Sequence, residues 1–431
     1  MSKLIWIWLS LGVLPLPATQ LWAQAGSQSA EHWVATWTTA QEMAPTTFDV
    51  PQTPPGVKMP DFSKLKGPMT PPHIPKTVQD QTVRMIVHTS IGGNRLRIEL
   101  SNAFGKGVLS IGDTHIAIRA SQSAIDPASD RKVTFSGSPS VDVGPGVVVV
   151  SDPIDLDIKP MSDLAVSIYI VKNEGTPANH MLGLHSSFIS SGDTAASISM
   201  PNPAPLTGYL WLRSIDVDAP AADFAIACLG DSITDGFGTT SDSNQAWPTL
   251  LAQRFADQTA GRRVAVINEG ISGNEVLRDG AGVSALARFD RDILSQPGVR
   301  WVILLEGIND INIHGQITGP GALTAEDLIK GYLQLIARAH LANIKIVGAT
   351  LTPEEGVWLA GPVGEATRQK VNEWIRTSGQ FDGVVDFDAV VRDPDHPSRL
   401  REDFNPGDHI HPNNIGNKAM ADAFVLTMFL N

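Results

Sequence analysis

A single cysteine, Cys228, stands in 431 residues, so no disulfide can close within the chain and thiolate zinc sites are excluded. Positive charge is scarce as well. Lys+Arg 32 against Asp+Glu 45 give a net charge of -13 and an isoelectric point near 5.2. A surface of that sign repels nucleic acid and anionic membrane, so neither is an expected partner. Aromatic residues make up only 6%, and beyond the N-terminus no apolar run is long enough to cross a bilayer, which argues against stable membrane insertion. A mean hydropathy of -0.01 with 18% charged residues excludes a disordered, coiled-coil or collagen-like chain. No repeat of solenoid period is found.

What is present is enough apolar residue, 42%, to build cores for two or three domains at roughly 100–200 residues each. Residues 1–25 read as a signal peptide: Lys3 precedes the apolar run Leu4 to Leu16, and Ala23-Gln24-Ala25 offers a small-x-small cleavage pattern. The alternative is an N-terminal anchor, for which the run is short. Export to the periplasm or the extracellular space is expected.

From 26 to 222 the pattern is β-rich. Leu96-Arg97-Ile98-Glu99-Leu100 alternates with period two, as a half-buried strand does, and Thr82 to Thr89, Val147 to Val150 and Leu164 to Val171 are further strand candidates. Turn residues separate them and no long helix intervenes, which predicts an all-β sandwich or jelly-roll. Between residues 45 and 75 lie nine prolines, too dense for a sheet interior; this stretch reads as a loop over the surface, a lid or a strap.

From 223 to 431 strand and helix alternate. Strands are predicted at Phe224 to Leu229, Val264 to Asn268, Trp301 to Glu306, Ile344 to Thr350 and Val384 to Phe387. Helices are predicted at Ala325 to Ala342, Glu365 to Ser378 and Asn414 to Leu430, with Thr324 and Asp327 as a capping pair. Buried strands alternating with amphipathic helices mean a parallel sheet covered on both faces, with ligands bound beyond the strands' carboxyl ends.

Four short motifs fall at that edge. Gly230-Asp231-Ser232-Ile233-Thr234-Asp235-Gly236 follows the first strand and exposes a serine at a strand-to-helix turn. Gly270-Ile271-Ser272-Gly273-Asn274 follows the second, where a glycine lets a backbone N–H approach a reacting oxygen. Gly307-Ile308-Asn309-Asp310 follows the third and offers a carboxamide donor. Asp408-His409-Ile410-His411-Pro412 precedes the last helix and can bring a carboxylate to an imidazole Nδ1–H. Each alone is an ordinary turn or cap. Together they form an acyl-transfer set, with Ser232 as nucleophile, His411 as general base and Asp408 as its orienter. The Ser232 N–H, the Gly273 N–H and the Asn309 amide are the candidate oxyanion donors.

The set resembles the SGNH hydrolases, also called GDSL esterases and lipases, over about residues 223–431. Ser232, Gly273, Asn309 and His411 match the family's four blocks and Asp408 its third triad member; Ile233 stands where the family name has Leu. Trp33-Val34-Ala35-Thr36-Trp37, Val87-His88-Thr89-Ser90 and Leu100-Ser101-Asn102-Ala103-Phe104-Gly105 are similar to an exported bacterial subgroup carrying a β-rich domain ahead of the hydrolase domain. The resemblance implies ester hydrolysis without a metal or other cofactor. The expected fold class is therefore α/β: a flavodoxin-like three-layer α/β/α hydrolase domain at 223–431, preceded by the β-sandwich-like domain at 26–222.

Other readings account for less. A metallophosphoesterase would use Asp113-Thr114-His115 with the Gly230 turn, but no Gly-Asn-His follows, since Glu275 comes after Asn274. A phosphate-binding loop would need its lysine, and an α/β-hydrolase elbow a glycine where Thr234 stands. A glycosidase would leave the serine and histidine unexplained. A non-catalytic carbohydrate-binding module is the alternative of another class, yet every chemical position is filled. Cys228 reads as a buried hydrophobe, His409 as a loop neighbour and rival of His411, and His314 as a loop histidine. Trp247-Pro248 reads as packing against the first helix. Trp33, Trp37, Trp211, Trp301 and Trp358 read as core residues, the other use being a sugar platform. The expected substrate is an O-acetylated polysaccharide, the alternative a small or lipid ester. With His411 as base, kcat/KM is expected to rise with pH through the histidine range, about 6–7, and then level.

Overall fold

The computed structural model describes residues 31–42, 74–258, 263–314, 322–357 and 359–430. The leader-like residues 1–25, all but the end of the proline-rich stretch and Trp358 lie outside them.

The β-rich region consists mainly of two antiparallel sheets. Trp33–Thr38, Leu212–Asp218 and Gly93–Ser101 lie side by side in the first, with Val148–Val150 and Ile154–Ile158 both pairing the last of these. Ser187–Ser191, Gln79–His88, Asp163–Asn173 and Leu109–Ser121 run through the second. Alternate residues of these strands point the same way. Val83, Met85, Val87, Leu164, Val166 and Ile168 of one sheet therefore meet Leu96, Ile98, Leu100, Ile215 and Val217 of the other in one buried cluster. Each such side chain is worth about 1.5–3 kcal/mol of burial.

The alternation at residues 96–100 predicts a strand half open to water. Instead the outer face of this sheet packs against the C-terminal region, so Glu99 is buried and paired with Arg213. Arg213 Nη2 also donates to the Arg291 carbonyl at 2.6 Å and to Ser295 Oγ at 2.7 Å.

In the C-terminal region five strands form one parallel sheet: β1 (Phe224–Gly230), β2 (Val264–Gly270), β3 (Val299–Leu305), β4 (Lys345–Ala349) and β5 (Gly383–Val385). Their spatial order is β2-β1-β3-β4-β5. The helices are α1 (Ser232–Asp235), α2 (Trp247–Gln258), α3 (Ala285–Phe289), α4 (Ile308–His314), α5 (Ala325–Leu341), α6 (Pro362–Thr377), α7 (Phe387–Val391) and α8 (Asn414–Asp422). Right-handed crossovers put the helices of the β1-to-β2 connection on one face and those leading to β3, β4 and β5 on the other. The packing agrees: α2 and α7 lie against α8, and α5 lies against α3 and α6. The edge strand β2 borders the β-rich region, where Val266 N donates to Ser90 Oγ at 3.2 Å. A further link runs from Ala35 N to the Pro297 carbonyl at 3.0 Å.

Several boundaries differ from expectation, three of them with a clear physical cause. The last helix does not run to Leu430: α8 ends at Asp422, Val425 is extended, and a 3₁₀ turn covers Leu426–Phe429. That break seats Phe424 against Trp247 and Phe387, with ring centroids 5.7 and 5.5 Å away. Trp247-Pro248 begins α2, Pro248 occupying a first-turn position that needs no N–H donor. Phe387 opens a helix because Asp386 caps it, accepting from Ala389 N. Trp37, Trp211 and Trp301 are buried in the cores and Trp33 stacks under Arg97, so these four form no exposed platform. Among the described residues no helix is long and apolar enough to cross a membrane.

Candidate active site

Strand order reverses at β1, between the connections leading to β2 and β3, the place beyond the carboxyl ends where ligands bind in open parallel sheets. Ser232, Gly273 and Asn309 all sit in the turns that leave these three strands. Gly230 ends β1 where a Cβ would come within 2.1 Å of Thr234 Oγ1 and 2.5 Å of the Leu305 carbonyl oxygen. Asp231 then caps α1 by accepting from Ile233 N at 2.9 Å, which makes Ser232 the first helical residue.

The Asp408 turn supplies the other half. Asp408 Oδ1 accepts from the backbone amides of Ile410 and His411 at 3.1 and 3.0 Å, and Oδ2 lies 2.7 Å from His411 Nδ1. Burial pushes the Asp408 carboxyl up, but the hydrogen bonds and charge of His411 outweigh it and hold the group below the usual carboxylate range. An ionised carboxylate can only accept, so when the ring is neutral Nδ1 carries the proton and Nε2 keeps its lone pair. Nε2 lies 2.8 Å from Ser232 Oγ. Phe237 packs on the imidazole with ring centroids 4.2 Å apart.

Gly273 adopts a φ of 80°, and a Cβ there would meet Ala281 Cβ at 2.8 Å. Asn309, in the first turn of α4, donates through Nδ2 to the Asn274 carbonyl at 2.9 Å. A carboxamide has a second N–H, for which no acceptor is found among the described residues. Its neighbour Asp310 accepts from Val276 N at 2.7 Å and Leu277 N at 3.1 Å, so the third motif braces the loop of the second.

Sequence reasoning missed Arg288. This fully buried guanidinium on α3 donates to the Gly230 carbonyl at 3.0 Å, the Glu269 carbonyl at 2.6 Å and Asn274 Oδ1 at 2.9 Å. It thereby ties together the ends of β1 and β2 and the second motif. No spacing in the sequence distinguishes it from a surface helix arginine. Near these motifs burial raises several carboxyls: Asp231 to about 7, Asp310 to about 6, Glu275 to about 8, and Glu306 well above its ordinary value. Each of these carboxyls keeps its proton to a higher pH than a solvated one would.

The remaining candidates find other partners. His409, at a φ of 69°, meets Asn405 at 3.0 Å, and it is Nε2 of His411 that reaches Ser232. His314 Nε2 lies 2.9 Å from Glu275 Oε2. Cys228 is buried in β1, where burial drives its thiol further from ionisation. His115 pairs with Asp130 and Asp113 with Lys132, within the β-rich region.

Residues 228–419 match the GDSL-like Lipase/Acylhydrolase family. Comparison with curated proteins gives no match. Similar solved structures include Est24, a carbohydrate acetylesterase from Sinorhizobium meliloti, at 18% identity over 46% of this chain and 95% of that one, with a TM-score of 0.36. A catalytic mutant of Axe2, an acetylxylan esterase from Geobacillus stearothermophilus, is 22% identical over 48% of this chain and 94% of its own, with a TM-score of 0.35. A GDSL-like lipase from Bacteroides thetaiotaomicron VPI-5482 is 17% identical over 48% and 87%, also at 0.35.

Proposed function

We propose that this carboxylic ester hydrolase, whose residues 228–419 belong to the GDSL-like lipase/acylhydrolase family, is a serine esterase working through an acyl-enzyme. The observation that carries the reading is the relay of two short contacts, Ser232 Oγ to His411 Nε2 at 2.8 Å and His411 Nδ1 to Asp408 Oδ2 at 2.7 Å. Ser232 Oγ attacks the ester carbonyl while His411 Nε2 takes its proton. The carbonyl oxygen becomes an oxyanion facing the N–H groups of Ser232 and Gly273 and the Asn309 amide. As the tetrahedral adduct collapses, the C–O bond to the alcohol breaks and His411 returns the proton to the leaving oxygen. Water then attacks the acyl-enzyme with His411 again as base, and collapse frees the acid and restores Ser232.

The domains are proposed to divide near residue 222, with a β-sandwich ahead of a flavodoxin-like hydrolase. The strand order β2-β1-β3-β4-β5 supports the latter description. Export is proposed from the leader pattern of residues 1–25. An exported acidic esterase with an accessory β-rich region suits an O-acetylated polysaccharide as substrate.

Acetate release from acetylated xylan or pectin, set beside a p-nitrophenyl ester series of rising chain length, tests the substrate. Release of acetate, with rates falling beyond the acetyl ester, supports the proposal. No release from the glycans, with rates rising along the series, overturns it in favour of a lipid ester.

A further inference from the structure

The β-rich region reaches the serine loops through one buried histidine. His180, on the short strand Asn179–His180, is 3% exposed, and its flanking carboxylates Glu42 and Asp235 are 2% and 4% exposed. Its Nδ1 lies 2.8 Å from the Ala40 carbonyl oxygen and 3.4 Å from Glu42 Oε1. Its Nε2 lies 3.0 Å from Asp235 Oδ1. The second oxygen of Asp235 accepts from Ser272 Oγ at 2.8 Å and from Ser272 N at 3.1 Å.

Asp235 is three residues beyond Ser232, and Ser272 immediately precedes Gly273. One carboxylate thus joins the helix that carries the nucleophile to the turn that carries the Gly273 N–H. There is little slack in this join: a Cβ on Gly270 would come within 2.3 Å of Asp235 N.

Glu42, His180 and Asp235 have spacing that a metal ion could use. Their arrangement fits an ion-pair chain better. Glu42 meets the Nδ1 edge of the ring, where the Ala40 carbonyl also sits, while Asp235 meets the opposite edge. The two carboxylates face different ring nitrogens, so a metal on one nitrogen would take away the ring partner of only one of them. A ring with an acceptor at each nitrogen is the environment of an imidazolium. Burial pulls the His180 pKa down, but the charge and hydrogen bond of Asp235, with Glu42 and Ala40 adding to them, carry it up to about 9. Burial also pushes Glu42 to about 7.

We infer that His180 is a positioning residue for ester hydrolysis, supplied by the β-rich region: it fixes Asp235, which holds the Ser272-Gly273 turn with the Gly273 N–H aimed at the substrate oxygen. The inference rests on the assignment of Gly273 as an oxyanion donor. It gives the β-rich region a part in catalysis at the level of geometry. A hydrogen-bond donor displaced by a fraction of an ångström stabilises the oxyanion less while leaving ground-state binding nearly unchanged.

The test is p-nitrophenyl acetate turnover by wild type, His180→Ala, His180→Gln and Ser272→Ala, expressed as kcat per serine labelled to completion by a fluorophosphonate. His180→Ala is expected to fall roughly tenfold to a hundredfold with KM within about threefold. His180→Gln, whose amide can still donate to Asp235, recovers to within about threefold of wild type. Ser272→Ala removes a single hydroxyl from a partly exposed turn and loses roughly threefold or more in kcat, which keeps the test decisive if His180→Ala does not fold.

An unchanged kcat per labelled serine in Ser272→Ala or in folded His180→Ala overturns the inference. So does a loss that appears wholly as unlabelled sites, and so does a glutamine variant as slow as the alanine one. A wild-type chain that turns over without taking up the label contradicts the serine assignment instead, and removes the ground on which this inference stands.

Discussion

Asp408 holds His411 at two points, accepting from its backbone amide at 3.0 Å and from its ring Nδ1 at 2.7 Å. The first contact fixes where the turn places the residue, the second fixes the ring and its tautomer. Together they leave Nε2 facing Ser232 Oγ at 2.8 Å.

Asp408→Asn should keep the turn and spoil the tautomer, because the carboxamide can still accept from the amides but no longer supplies the charge that stabilises an imidazolium. The expected loss is about 10³–10⁴ in kcat with the melting temperature little changed. Steady-state kinetics beside a thermal melt checks it, and a fall of less than about tenfold would contradict the role given to this carboxylate.

Asn309→Ala removes the side chain proposed to donate to the oxyanion. A loss of about 10²–10³ in kcat with nearly constant KM is expected. A rise in KM at constant kcat would show instead that Asn309 binds substrate and transition state alike.

Asp231→Asn tests the buried carboxyls through stability. Burial raises Asp231 from its unfolded range to about 7, so its contribution is fully present below about pH 4 and is lost as pH rises through 7. The asparagine variant resembles the protonated form and can keep the cap to Ile233 N. Its melting temperature should therefore fall less than that of wild type between pH 5 and about pH 8. Parallel melting curves for the two proteins across that interval would contradict a raised Asp231.

Much of this site is legible in the sequence because its parts are local. A turn serine, a glycine with φ of 80° and an Asp-x-x-His turn each depend on residues within three or four positions, and such spacings can be read directly. Strands β1 and β2 are legible for a similar reason: both are continuous apolar runs ending in glycine. The supporting contacts are not local. Arg288 lies 58 residues from Gly230, and His180 lies 55 from Asp235, in a region of different fold. An isolated arginine on a helix and a histidine beside a strand carry no periodicity that marks them. The end of α8 was obscured for another reason, since the helical apolar pattern continues through Phe424 while tertiary packing of that ring breaks the helix.

The most direct test of the account is hydrolysis of p-nitrophenyl acetate by wild type and Ser232→Ala, with circular dichroism showing that both are folded. The serine mechanism predicts turnover by wild type and a fall of about a thousandfold or more in the variant. Equal rates in the two folded proteins would contradict Ser232 as the nucleophile.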